Sequence, residues 1–208
     1  MIVIRNFKSV SSKEEYKFEI KKSIFFSEAR IVMNLEEAEE FIVEVRNKHP
    51  KATHHCYAYS ITEGGLKQKA EDDGEPGGTA GLPILKAITM NHLENCMIVV
   101  TRYFGGIKLG SGGLTRAYMA GATEVIKKAG IREFKLFYNV EIELTYDLYD
   151  IFLDYLIKNN IEILDTVFDA SVKVTVSIGE EFCNAFKENV LNMSSGKAEF
   201  TILKEVRK

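Results

Sequence analysis

From residue 136 onward the apolar and polar positions keep two rhythms in turn. "LFYNVEIELTY" alternates with period two, "DLYDIFLDYLIKNN" repeats its apolar residues at three- and four-residue intervals, and "IEILDTVFDA" and "SVKVTVSIG" return to period two. The first helical segment puts Leu148, Ile151, Phe152, Tyr155 and Leu156 on its inward face. "EEFCNAFKENVLNM" is helical again through Phe182, Phe186, Val190 and Met193, and "KAEFTILKEV" closes as a strand. The order β-α-β-β-α-β within about seventy residues is the split βαβ plan of a ferredoxin-like sandwich. A separate domain over residues 136–208 is therefore predicted, with no glycine loop and no histidine, suited to docking or support.

Residues 1–135 read as a first domain in which strands and helices mix, so the whole chain is α+β. "EEYKFEI" and "SIFFSEARIVM" are strand-like, and "NLEEAEEFIVEVRNKH" is a helix with Asn34 as N-cap. Its acids, Glu36, Glu37, Glu39 and Glu40, suit the positive helix start, while Leu35, Ala38, Phe41, Ile42 and Val45 form the buried stripe. "THHCYAYSIT" is a strand, Gly64-Gly65 a hairpin turn, and "EDDGEPGG" a polar loop. Thr79 is placed to cap "AGLPILKAITMNH", where Pro83 falls in the tolerant first turn. "NCMIVVTRYF" is nearly continuous in apolar residues, which predicts a central strand covered on both faces.

With 208 residues, 46% of them apolar and 27% charged, the chain can bury a core without staples. Its three cysteines stand far apart with no C-x-x-C pair, which implies a reducing, cytoplasmic setting. No apolar run approaches the roughly 20 residues that span a bilayer, so no membrane partner is expected. "MIVIRNFKSV" lacks the apolar core of a cleavable leader. A net charge of −3 argues against a uniformly basic coat but leaves room for a local positive site.

Such a site is suggested by "TRYFGGIKLGSGGLTRAY", a strand end, a glycine loop and a helix start. The helix after Gly113 opens with Arg116 and no carboxylate, against the preference of exposed N–H groups for negative charge. Read as an anion cradle, the loop uses Gly105, Gly106, Gly110, Gly112 and Gly113 to bring backbone N–H groups close to a ligand. Arg102, Lys108 and Arg116 supply charge, Ser111 a hydroxyl and Tyr103 an aromatic surface. The plainer reading is a sharp strand-to-helix turn with solvated cations around it. Gly105 to Gly110 has P-loop spacing, but Ser111 stands where lysine belongs, and Leu109 occupies the place of the first glycine in a nucleophile elbow. Ser111 is therefore a phosphate contact, and no catalytic residue is assigned.

The acidic loop carries Glu71, Asp72, Asp73 and Glu75. Its carboxylates fit Ca²⁺ spacing poorly and serve better to cap the following helix or to orient Arg102 and Arg116. His54, Asp72, Asp73, Glu75 and Thr79 thus form a supporting loop around the cradle. On a strand His54 and Cys56 face one way and His55 the other, and no third ligand is spaced to join them, so neither a metal nor a cofactor is expected. Tyr57, Tyr59, Tyr103 and Tyr118 either stack bases or pack as ordinary strand tyrosines.

"ATHHCYAY", "EDDGEPGGTAGLPIL" and "VVTRYFGGIKLGSGGLTRAY" resemble the signature segments of the YigZ/IMPACT family, and the region after 136 resembles its bacterial C-terminal extension. His55 stands where that family commonly has asparagine, and Gly78 where it commonly has serine. The resemblance implies a first domain shaped like the ribosomal-protein-five and translation-factor superfold and a second like the last domain of elongation factor G. It also implies a link to translation, which the eukaryotic relatives regulate by binding an activator of a stress kinase. Three functions stay open, since fold alone does not give function. The preferred one is a regulator of translation that binds RNA or the ribosome through the cationic loop, with a translation-related protein as a further partner. The second is an enzyme of a small phosphorylated or carboxylated metabolite, because small-molecule kinases of this superfold carry a glycine-serine loop resembling "KLGSGGL". The third is a protein-binding module whose loops are structural turns.

Overall fold

In the computed structural model, which describes residues 6–207, the chain divides into two units, one ending at Glu133 and the next beginning at Phe134. Met1 to Arg5, part of the stretch read for a leader, lie outside the described residues.

The first unit is built on five antiparallel strands: β2 (Glu14–Ile20), β3 (Ser23–Ile31), β4 (His54–Ile61), β5 (Lys67–Glu71) and β6 (Cys96–Tyr103), in the order β2-β3-β6-β4-β5. Two short strands, β1 (Phe7–Val10) and β7 (Ile131–Phe134), pair separately. Neither is long enough to show a rhythm in the sequence, and β5 is hidden there because its "KQKAE" is polar at an edge. The helices are α1 (Leu35–Lys48), α2 (Gly81–Met90) and α3 (Ser111–Ala129).

β6 lies in the middle and is buried at every position but Tyr103. Successive side chains point to opposite faces. Ile98 and Val100 therefore join Phe25, Cys56, Ile84 and Tyr118 under α2 and α3, while Met97 and Val99 join Phe41, Val45 and Ile61 under α1. α1 begins where Asn34 Oδ1 accepts from Glu37 N at 2.8 Å and Glu37 Oε2 accepts from Met33 N at 2.8 Å. α3 lies so close to the sheet that a Cβ on Gly121 would stand 2.5 Å from Ser27 Oγ and 2.8 Å from the Phe18 ring.

The second unit contains β8 (Leu136–Leu144), α4 (Tyr146–Lys158), β9 (Glu162–Phe168), β10 (Val172–Gly179), α5 (Glu180–Met193) and β11 (Glu199–Arg207). Its antiparallel sheet has the order β11-β8-β10-β9. The helices bury narrower stripes than the sequence suggests. In α4 Phe152 and Leu156 are buried, but Ile151 is 56% exposed. In α5 the stripe runs through Cys183, Phe186 and Val190, and Phe182 is 64% exposed. A helix lying on a flat sheet touches it along one line, so residues a quarter-turn away meet solvent. Among the described residues no helix is long and apolar enough to cross a membrane.

Candidate functional site

The end of β6, the segment that follows it and the start of α3 enclose a cavity of about 360 Å³. Thr53, His54, Glu75, Arg102, Phe104, Lys108 and Ser111 line it, together with Pro76, Leu109, Gly110 and Leu114. α3 starts at Ser111, earlier than its sequence suggests, so Gly112 and Gly113 belong to its first turn and Arg116 to its second. Gly110 is the N-cap at φ 71°, no side chain caps the helix, and its first turn holds no acid. The first intrahelical bond is Leu114 N to Gly110 O at 2.9 Å. Among the described residues, the N–H groups of Ser111, Gly112 and Gly113 have no partner. Long side chains on a helix lean toward its N-terminus. Arg116 does so: its Nη1 lies 3.5 Å from where a Cβ of Gly112 would stand. A cation thus sits at the positive end of α3, held there from the second turn.

The glycines of the loop divide by role. Gly106 and Gly110 adopt positive φ, 82° and 71°. Gly105 serves packing: a Cβ there would lie 2.0 Å from the carbonyl oxygen of Lys22, and its N–H donates to Ser23 Oγ at 3.3 Å. It approaches the chain itself, and its N–H is already in use.

Arg102 is 4% exposed, and its Nη1 donates to Glu75 Oε1 at 2.7 Å. Nη2 donates to Ser23 Oγ at 3.2 Å, the guanidinium lies over the rings of Phe25 and Phe104, and Nε is buried without a partner. Its charge is therefore matched inside the protein, unlike those of exposed Lys108 and Arg116. Glu75 Oε1 also accepts from the Tyr118 hydroxyl at 2.7 Å, and Glu75 Oε2 lies 3.9 Å from His54 Nε2. His54 Nδ1 is 2.9 Å from the Asp73 carbonyl, which can only accept, so this nitrogen carries a proton. Burial, with Cys56 and Glu75 adding to it, pushes the Tyr118 phenol far above its ordinary range. Burial likewise raises the Cys56 thiol, and with it Cys96 to about 12, so neither supplies a thiolate.

The acidic loop fills both expected roles, capping the following helix and holding Arg102, but divides them between two members. Asp72 Oδ1 accepts from Ala80 N and Gly81 N, both at 2.9 Å, and Oδ2 accepts from Gly78 N at 2.7 Å. Asp72 is thus the acceptor at the start of α2, whereas Thr79 Oγ1 donates to the Pro76 carbonyl at 2.6 Å. Burial acts to raise the Asp72 pKa, but the three backbone donors outweigh it and hold the carboxyl below its ordinary value. Asp73 accepts from Arg46 at 3.0 Å and from His55 N at 2.7 Å. Neither aspartate orients Arg102 or Arg116; Glu75 holds Arg102. At Gly78 φ is 75°, a conformation serine adopts with strain.

Tyr103 turns to the opposite face, where its hydroxyl meets His49 Nδ1 at 3.1 Å. Tyr57 and Tyr59 pack on the α1 side, and Tyr118 is buried. The aromatic beside the cavity is Phe104, 45% exposed, which the sequence reading missed. Its one signal is its position just past the strand end, the place of "F" in "RYFGG".

Residues 21–126 match the Impact N-terminal domain, and residues 142–197 match a domain of unknown function designated DUF1949. The IMPACT family member YvyE of Bacillus subtilis (strain 168) is 35% identical over 197 residues, spanning 95% of this chain and 91% of that one. An IMPACT family member of Haemophilus influenzae is 34% identical over 189 residues, with 89% and 91% covered. A crystal structure of a hypothetical protein superposes with a TM-score of 0.66 at 26% identity, covering 97% of this chain and 99% of that one.

Proposed function

This chain belongs to the IMPACT family, and from that premise we propose that it regulates translation by holding RNA phosphate, free or on the ribosome, at the N-terminus of α3. One observation carries the reading: a 19-residue helix begins with unpartnered N–H groups, no acid and no side-chain cap, beside a cavity lined by Lys108 and Ser111. Such an end attracts anions through its partial positive charge and its free donors. Ser111, Gly112 and Gly113 donate to phosphate oxygens, and Lys108 and Arg116 balance the charge. Glu75 and Arg102 form the buried floor. A translation-related protein would be a further partner.

Co-sedimentation with ribosomes over a salt series tests this. Binding through phosphate falls steeply as salt rises, with a log–log slope near −0.7 for each neutralised single-strand phosphate. Arg116→Ala should weaken binding and flatten that slope by about one phosphate's worth. Sedimentation that ignores salt, and is the same for wild type and Arg116→Ala, would refute the phosphate contact.

A second reading is favoured by the cavity's size, which falls within the range of about 300–1,000 Å³ usual for small-molecule sites, and by the approach of His54 to Glu75. It makes the protein an enzyme of a small phosphorylated or carboxylated metabolite. A kinase of this kind would need nucleotide and Mg²⁺. Saturable nucleotide binding that requires Mg²⁺, without ribosome binding, would favour it.

A further inference from the structure

The opposite face of the same sheet, under α1, contains two buried polar atoms that face each other without partners. The β2–β3 register sets Glu15 directly across from Glu28. Like charges in that position repel. Glu28 is only 2% exposed, and His49, the C-cap of α1, closes over it. Lys48 Nζ reaches Glu28 Oε2 at 3.0 Å and also contacts Glu15 Oε2. That ammonium leaves Glu28 Oε1 and His49 Nε2 unsatisfied, both buried and 3.7 Å apart. Buried acceptors of this kind are costly unless something lies between them.

The imidazole is held in place for a ligand. The Phe26 ring packs on it at 4.6 Å between centroids, and the Tyr103 hydroxyl meets Nδ1 at 3.1 Å. When Nδ1 donates to that hydroxyl, Nε2 directs its lone pair at Glu28 Oε1. A hydrogen bond from Nε2 to Glu28 would need about 3.2 Å or less, and the separation is 3.7 Å. A metal bonded to both is better matched, since Zn–N and Zn–O distances near 2 Å place such donors between about 3 and 4 Å apart. One carboxylate oxygen of Glu15, one of Glu28 and one ring nitrogen of His49 lie within 4.8 Å of one another. The carbonyl end of α1 adds negative partial charge.

We propose that Glu28, His49 and Glu15 form a site for a divalent cation of borderline softness, such as Zn²⁺, for which the Lys48 ammonium competes. One imidazole and two carboxylates suit such an ion better than a soft one. The half-exposed side chains of Glu15 and Lys48 leave it a path from solvent. The three ligands come from separate elements, so no local spacing in the sequence announces them. The site does not depend on the anion reading, because it uses none of the residues that line the cavity.

The test is calorimetric titration of Zn²⁺ into chelator-stripped full-length protein, with Co²⁺ absorption as an independent report of ligand field. The expected result is stoichiometric binding that Lys48→Met tightens by about tenfold or more and His49→Gln weakens by a similar factor. A gain of affinity in Lys48→Met cannot come from misfolding. Should Glu28→Gln fail to fold by circular dichroism, those two variants still decide. No stoichiometric Zn²⁺ binding by Lys48→Met, or binding that His49→Gln leaves unchanged, would overturn the site.

Discussion

Glu75 and Arg102 show how much one ionic contact can hold. Both are buried, and the 2.7 Å contact between them is the main compensation for the desolvated guanidinium. Removing one partner of a buried pair costs about 3–5 kcal/mol because the other charge is stranded. Glu75→Ala should lose that much stability in urea denaturation, and a loss under about 1 kcal/mol would show that water replaces the carboxylate. Arg116 has the opposite character. It is exposed, and its Nη1 leans over Gly112 at the positive end of α3. Arg116→Ala should therefore keep or slightly raise the melting temperature of the free protein. It should also weaken binding of phosphate or a short RNA by roughly 1.5–3 kcal/mol, the range for a hydrogen bond to a charged group. Lost stability with unchanged anion affinity would make Arg116 a structural residue and favour the protein-binding reading.

Among the elements, α2 depends on a carboxylate from the preceding loop. The Asp72 pKa is depressed on folding from an ordinary 3.8, so the native state binds its proton less readily than the unfolded chain. The stabilisation is then fully present above pH 3.8 and is lost as pH falls through the lower, folded value. Asp72→Asn keeps one acceptor oxygen but sets an NH2 group against backbone donors that now face the second oxygen, and should cost about 1–3 kcal/mol at neutral pH, the range for an unsatisfied buried group. Measured by urea titration at pH 7 and pH 3, the gap between variant and wild type should narrow in acid; a gap constant with pH would show that the carboxylate's charge is irrelevant. The segment between β6 and α3 is fixed instead by a close approach of Gly105 to the distant Lys22 backbone. A methyl group there meets the Lys22 backbone at 2.0 Å, and backbone cannot swing aside as a side chain can. Gly105→Ala should cost about 1–3 kcal/mol or more while Gly106→Ala, with open space around its Cβ, should pay only the smaller strain of its positive φ.

At the scale of the whole molecule, the second unit has a core of its own. Val140, Ile142, Phe152, Val174, Phe186 and Val190 belong to one buried cluster drawn from β8, α4, β10 and α5. A fragment of residues 134–208 should therefore fold alone and melt cooperatively, though with a small margin, since a chain of this size buries a limited fraction of its surface. Circular dichroism during heating would check it, and a fragment with no cooperative transition would mean that its core needs the rest of the chain.

What the sequence determined by itself was whatever a short stretch can encode. The Asn34 cap, the split βαβ order after residue 136 and the central place of "CMIVVTRY" all follow from periodicity or a single turn of chain. The missing carboxylate at the start of α3 was equally legible, because a helix dipole acts only over its first turn. Tertiary structure decided which charges remain available to a ligand. Arg102, Lys108 and Arg116 look alike as letters, yet only folding brings Glu75 against Arg102 from 27 residues away and leaves the other two exposed. It also gathered Glu15, Glu28 and His49, from three separate elements, on one face of the sheet. Burial and pairing depend on contacts between distant segments, and no local pattern records which segments will meet.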